Sequence, residues 1–505
     1  MTRVLLFGVP LLVLCAPAGA QTLSLSKAGG AAPGTTTLSL AGGPAGAPYI
    51  VLFSFDEQPT TVNGVTLEIP LTWIDFAGIL PGFLGLLDAY GEASTGFALP
   101  AGLPAVLDAT ISIQAVAGLA PSTVSNLVRV TPAEPGTFEP ALESPAVPVE
   151  GGGGVAAGNG EILFVGGSGP VAQRYDSRIE AWTLAGATFG VGLFSQTTPL
   201  ADGRVLFTGG LDLATGQPTS AAAVYDPVAG TTTPLAMNAA RAGHGASLLG
   251  NGTVLITGGF QVFDLTNLLL LFQSIQGTTE VFDPATNAFA PGPILLEPRA
   301  LHTSTTLASG QALIAGGITL VPILNVPLVS NTAYRFNPAT GSFGFPAFFG
   351  GARFLHSAVG LPNGKVLLVG GLTLDLTAFL TTGNPLDIVF GTRTDGQLYT
   401  PTLFGFGTFA AVNALSEGRA GAGLAVLPDG GALVAGGFNL AIDIPGGIFS
   451  ATAASSADRF STATNAFAPT GSMAAARLFP LAAPLPDGTV MVIGGGPFAA
   501  EIYQP

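Results

Sequence analysis

Cysteine is nearly absent from this chain, and so is charge. The single cysteine, Cys15, falls in a leader-like opening segment, so thiol chemistry and disulfides are excluded from the mature protein. Charged residues make up 9% of the 505, and Lys27 and Lys365 are the only lysines. Neutralising a phosphate backbone takes a basic patch, and none is visible, so nucleic acid is excluded as a partner. Membrane-length apolar runs are also missing. The run "LLLLF" at 268–272 is far too short to span a bilayer, so no transmembrane segment is expected. Tryptophan is confined to Trp73 and Trp182, which leaves few flat faces for stacking on sugar rings.

Glycine and proline are abundant, at 72 and 40 residues, in a chain that is 48% hydrophobic. Turn formers at that density do not suit a helical protein, whereas the apolar content is enough for a packed core. The net charge of −15 favours solubility and no particular partner. At the start, Arg3, the apolar "VLLFGVPLLVL" and Ala18-Gly19-Ala20 have the layout of a signal peptide over residues 1–20. The mature protein is therefore expected to be secreted, either extracellular or in the periplasm or at the cell surface. Leu14 is too bulky for the position before an acylated cysteine, so Cys15 is not read as a lipid anchor.

Internal repetition decides the architecture. Gly-Gly pairs begin at Gly166, Gly209, Gly258, Gly316, Gly370, Gly436 and Gly494, each after an apolar run. Another glycine stands six residues earlier, at Gly160, Gly203, Gly252, Gly310, Gly364, Gly430 and Gly488, preceded each time by Asn, Asp or Ser. Such pairs accept the positive φ of a tight hairpin, so runs like "TVLIT" and "KVLLV" read as buried central strands. An aromatic follows each Gly-Gly pair: Tyr175, Tyr225, Phe282, Phe336, Tyr399, Phe460 and Tyr503. Five of the seven open an aromatic–X–Pro turn, and seven residues after six of them come Trp182, Thr232, Phe289, Phe343, Phe406 or Phe467. Each unit reads as a four-stranded blade.

From Pro135 to Pro505 this pattern resembles the kelch repeat, with its Gly-Gly after strand two and its aromatics on strands three and four. Galactose-oxidase-like propellers and bacterial secreted kelch proteins are built from such units. The resemblance implies an all-β fold, a seven-bladed kelch-type β-propeller over residues 133–505. The last repeat has no fourth strand of its own, because the sequence stops just after Tyr503. Upstream, "EPGTFEPALESPAV" matches the strand-four segment "ATNAFAPTGSM" of repeat six. A strand at about 136–142, carrying Phe138, is thus expected to close the last blade. Residues 21–132 lack the repeat, and their alternating runs, such as "YIVLFSF" and "ATISIQAVA", read as a small β-sandwich, Ig-like or jelly-roll-like.

The stretch from Gly-Gly to the strand-three aromatic takes nine residues in repeats one and seven but 20 to 29 in repeats three to six. These apolar inserts, which contain Phe272 and Phe379, are expected to form extended hairpins on one face, where a rigid scaffold gathers binding loops. On the same face, Arg241, Arg299, Arg353, Arg419 and Arg477 stand seventeen residues before their Gly-Gly pairs. His244, His302 and His356 follow the first three arginines at a distance of three. All are candidate binding residues, although the resemblance implies inter-blade packing for arginine and histidine at these positions. No carboxylate or cysteine accompanies the histidines at ligand spacing, so neither a metal nor a cofactor is expected.

Galactose-oxidase chemistry needs a cysteine cross-linked to tyrosine, which the mature chain cannot supply, and no sialidase Ser-x-Asp-x-Gly-x-x-Trp box occurs. No catalytic constellation stands out. The expectation is a non-catalytic, exported interaction module that binds a protein partner through its Phe-rich and aliphatic strand two-to-three loops. The alternative is a carbohydrate-binding or carbohydrate-active propeller.

Overall fold

A computed structural model describes residues 23–505 except 29–33, 55–59, 63–64, 68–83, 100–110, 119–122, 131–132, 142–144, 146–152, 157–160, 166–170, 188–191, 213, 265–266, 322–325, 376, 383–386, 403–405, 444–447 and 497–499. The segment expected to be a signal peptide (1–20) and the first Gly-Gly pair lie outside the described residues. Regular structure is almost entirely antiparallel strand, and the described helices Leu268–Gln273 and Thr377–Thr382 are short. No described helix is long and apolar enough to cross a membrane.

The chain divides into two compact units. The first comprises Met1–Pro135 with Ser177–Glu180 and Gln504, and the second Gly136–Asp176, Ala181–Tyr503 and Pro505. In the first, Ser24–Ala28, Gly34–Ala41 and Ala93–Leu99 form one sheet, and Pro48–Ser54 and Ile111–Ala117 lie at the centre of another. Leu25 and Leu38 share a core with Val51, Ile113 and Val128. These are the inward-facing residues of alternating strands.

In the second unit, repeat three shows the plan. Gly245–Leu248, Val254–Thr257, Thr279–Asp283 and Ala288–Pro291 pair antiparallel in that order. The first turn carries Gly252 at φ +84°, and Gly203, Gly310, Gly364, Gly430 and Gly488 lie between +76° and +91°. Side chains are strained in that region, which is why the turn demands glycine. The second strands, Val205–Thr208, Val254–Thr257, Ala312–Ala315, Val366–Val369, Ala432–Ala435 and Val490–Ile493, are buried at every residue. Neighbours cover both of their faces, so they read as continuous apolar runs.

The strand-three aromatics meet their strand-four partners at 4.9 Å for Phe282–Phe289 and 5.2 Å for Phe336–Phe343 and Phe460–Phe467. Repeat five differs. There Tyr399 packs on Phe409 at 4.9 Å, while Phe406 is exposed. The turn after Tyr399 is longer than its counterparts and passes Gly407 at φ +78°, which shifts the packing aromatic three positions along.

The first strands of successive sheets adjoin in chain order, and Leu481–Pro484 of repeat seven adjoins Gly153–Ala156 of repeat one. This closed, radial stacking makes the unit a β-propeller. The last sheet runs Phe138–Pro140, Glu501–Tyr503, Val490–Ile493, Leu481–Pro484. Phe138 stands opposite Tyr503 with their rings 5.0 Å apart.

Phe138 is half-buried, so Phe138→Ala is expected to cost about 2 kcal/mol, below the ~3–5 kcal/mol of emptying a fully buried aromatic site. A chain beginning at Gly151 leaves the Glu501–Tyr503 edge unpaired and should unfold at still lower urea. Identical urea midpoints for the intact protein and both variants would remove this strand from the account.

Candidate functional site

Each of the five arginines enters just before the first strand of its sheet, and its side chain is 0–1% exposed. A guanidinium is costly to bury unless its N–H groups find acceptors. Nη1 donates to the first glycine carbonyl of its own Gly-Gly pair: Arg241 to Gly258 at 2.8 Å, Arg299 to Gly316 and Arg353 to Gly370 at 3.0 Å, Arg419 to Gly436 at 3.2 Å, Arg477 to Gly494 at 3.3 Å. The seventeen-residue spacing is this bond.

A carboxylate balances each charge. In repeats three, six and seven it stands two residues before the strand-three aromatic, as Glu280, Asp458 and Glu501 at 3.1, 2.8 and 3.0 Å. Repeats four and five have Tyr334 and Gln397 there, and the acid comes instead from Glu297 at 2.6 Å and Asp395 at 2.9 Å. Burial draws Arg299 and Arg353 down to about 10, opposed by the charges of Glu297 and Asp395. Both stay protonated.

The arginine main chain faces the preceding repeat. Its carbonyl accepts from the second glycine there: Gly210 to Arg241 at 2.8 Å, then Gly259 to Arg299, Gly317 to Arg353, Gly371 to Arg419 and Gly437 to Arg477 at 2.9 Å. A Cβ on the first glycine of these pairs would crowd the same carbonyl oxygen. Only glycine lets the sheets approach this closely.

His244, His302 and His356 are also buried. Their Nε2 atoms meet the hydroxyls of Thr208, Thr257 and Thr303 on the preceding repeat at 2.9, 2.8 and 2.9 Å, while the Nδ1 atoms have no hydrogen-bond partner. Burial, and after it the charge of neighbouring arginines, draws His244 and His356 down to about 3 and His302 well below its ordinary value. All three are neutral. Among the described residues, no three His, Cys, Asp or Glu side chains converge on a metal position.

Two residues after each arginine the backbone turns left-handed, at Gly243 (φ +64°), Leu301 (+55°), Leu355 (+50°), Gly421 (+56°) and Phe479 (+48°), and Phe194 (+62°) does so in repeat two. Leucine and phenylalanine rarely adopt this conformation. Here bonds from Gly243 N to Phe194 O, Leu301 N to Gly243 O, Leu355 N to Leu301 O and Gly421 N to Leu355 O, at 2.7–3.0 Å, link one repeat to the next. These residues rim a cavity of about 320 Å³ with the histidines in its wall. Its lining comes from repeats two to seven, which places it at the middle of the ring.

The inserts fold onto one another. That of repeat four is a hairpin, Ile318–Val321 with Val326–Val329, and those of repeats five and six merge into one sheet of Leu372–Asp375, Val389–Thr392, Phe438–Asp443 and Ile448–Ala453. Phe260, Phe272, Ile275, Ile318, Phe354 and Leu372 share one buried cluster, against which Leu301 and Leu355 of the rim pack. The inserts, expected as extended hairpins walling one face, thus pack on one another as a single layer.

This placement revises several candidate contacts. Phe272 is 6% exposed, held inside that cluster because its helix turns it inward, whereas Leu269 and Leu270 are 56% and 40% exposed. Phe379 belongs to Thr377–Thr382, and its side chain lies outside the described residues. Arg241, Arg299, Arg353, Arg419 and Arg477 point into the scaffold, where backbone carbonyls and acids occupy them. The rim residues Phe194, Leu301, Leu355 and Phe479 escaped sequence reasoning. Their one signal is a place two residues after the arginine column, and repeat two has Gly192 in place of that arginine.

No protein-family model matches the chain, and no curated protein matches it in sequence. Among solved structures it is similar to one reported as the structure of YjhT, with a TM-score of 0.49 and 16% identity over 65% of this chain and 99% of that one. It is also similar to a fungal alcohol oxidase of the AA5 family in complex with copper, with a TM-score of 0.54 and 19% identity over 73% of this chain and 76% of that one. The second likeness shows a shared fold and no more.

The buried histidines make stability depend on pH. Their folded values lie near 3 or well below 6.5, so below pH 6.5 the unfolded chain takes up protons that the folded chain refuses. Stability is then full above about pH 6.5 and falls as the medium is acidified. The urea midpoint should drop from pH 7 to pH 5, and a His244→Gln/His302→Gln/His356→Gln variant should lose most of that slope. An equal slope in the variant would place the titrating groups elsewhere.

Proposed function

We propose that this chain is an exported, non-catalytic, seven-bladed propeller that docks a protein partner on the face carrying the inserts. One observation supports this reading above all. The inserts of repeats three to six build a one-sided apolar layer that packs against the rim of the central cavity. Phe438 and Phe263 of that layer lie 5.0 Å from Phe479 and 5.7 Å from Phe194. Exposed Leu269 and Leu270 stand on the layer, and the cavity has room for an apolar side chain of a partner. Aliphatic and phenylalanine surfaces of this kind suit a polypeptide better than a sugar ring.

A photo-crosslinking residue at Leu269, introduced in the exporting cell, is expected to trap one polypeptide species. Leu269→Ser/Leu270→Ser should weaken binding to that species tenfold or more with an unchanged urea midpoint, whereas Phe272→Ser should lower the midpoint. Undiminished binding by the double variant would take the docking surface away from this face.

A further inference from the structure

We infer that the outer rim of repeats three to five docks a second copy of this chain. Strand four is the outermost strand of each sheet. In these three repeats its flanks and outward positions expose large apolar side chains: Ile294 and Leu296, Phe345 and Phe348, and Phe406, each 47–81% exposed. They follow one another from repeat to repeat. Phe345 meets Phe406 edge to face at 5.8 Å. Phe348 stands opposite Thr332, whose hydroxyl donates to Glu297 at 2.7 Å, and Glu297 follows Leu296 in the chain. Residues 284–296, 338–352 and 401–416, which hold all five, contain no charged residue.

The size and composition of this patch fit a second copy. The five side chains expose on the order of 600 Å² together, the upper end for the largest apolar patch of a monomer. A stable pair buries about 800 Å² per partner, and exposed Ser342, Gly344, Thr408, Ala410 and Ala411 among them supply the remainder. Interfaces between identical chains are more apolar than those between unlike ones. A two-fold axis sets this patch on itself, apolar against apolar, with no partner charge to match. Charge argues the same way. Each copy has a net charge of −15, so two copies meet at least cost where no charge stands. Contact is through side chains rather than strand pairing. Phe345 and Pro346 interrupt the outer strand of repeat four between Ser342–Phe343 and Ala347–Phe348, and proline has no N–H to offer.

The test is sedimentation velocity of the intact protein over the micromolar range, at about 0.05 M and about 0.5 M salt. A reversible monomer–dimer equilibrium is expected, tighter at the higher salt, which screens the repulsion between two acidic copies. Phe345→Ser/Phe348→Ser should weaken it tenfold or more with an unchanged urea midpoint, because both residues are exposed. Leu184→Ser/Val228→Ser, at exposed apolar positions of repeats one and two, should leave the dimer as it is. So should Leu269→Ser/Leu270→Ser, which separates this rim from the insert face. A monomer at every concentration, a dimer loosened by salt, a dimer that survives Phe345→Ser/Phe348→Ser, or one lost with either of the other two variants would each overturn the proposal.

Discussion

In repeats three to seven a buried guanidinium bonds to the Gly-Gly carbonyl of its own sheet, while the carbonyl of the same arginine is held by the second glycine of the sheet before. One residue thus fixes both the inside of a sheet and its distance from its neighbour. The first glycine keeps that distance short, since a Cβ would meet the arginine carbonyl. The charge brings an obligation, because a buried ion left without its partner destabilises by about 3–5 kcal/mol. The chain meets it by different routes, taking Glu280, Asp458 and Glu501 from strand three but Glu297 and Asp395 from loops where strand three offers Tyr334 or Gln397.

The middle of the ring is built beside the latch. In repeats three to six the residue two positions after the arginine is left-handed and donates a hydrogen bond to the preceding repeat, and repeat two takes the same conformation with Gly192 in the arginine's place. Strain at Leu301 and Leu355 is tolerated because those bonds, and the insert core behind them, hold the backbone in place. The result is an apolar rim above neutral histidines. It faces a ready-made wall on one side only, since repeats one and seven have no long insert.

Much of this was legible in the sequence, and the reasons are physical. The Asx-Gly turns need positive φ, which glycine alone adopts freely, so their positions announce themselves. Continuous apolar second strands and paired aromatics are equally local signals. What could not be read is what depends on three-dimensional neighbours. Phe406 holds the expected spacing yet lies exposed, because a longer turn hands its place to Phe409. The arginine column is plain, but its direction is set by glycines seventeen residues away and by acids that shift position from repeat to repeat. Phe272 reads as one more apolar insert residue until the inserts pack together and bury it.

Latches that join the sheets of repeats two to seven, each to the next, should not open one at a time. Hydrogen exchange of the second-glycine amides, Gly259, Gly317, Gly371 and Gly437, measures this directly, because each donates to the arginine carbonyl of the following repeat. The account predicts that they exchange as slowly as central-strand amides such as Leu255 and Leu313, through global unfolding alone. Exchange orders of magnitude faster at these glycines, with the central strands still protected, would contradict it.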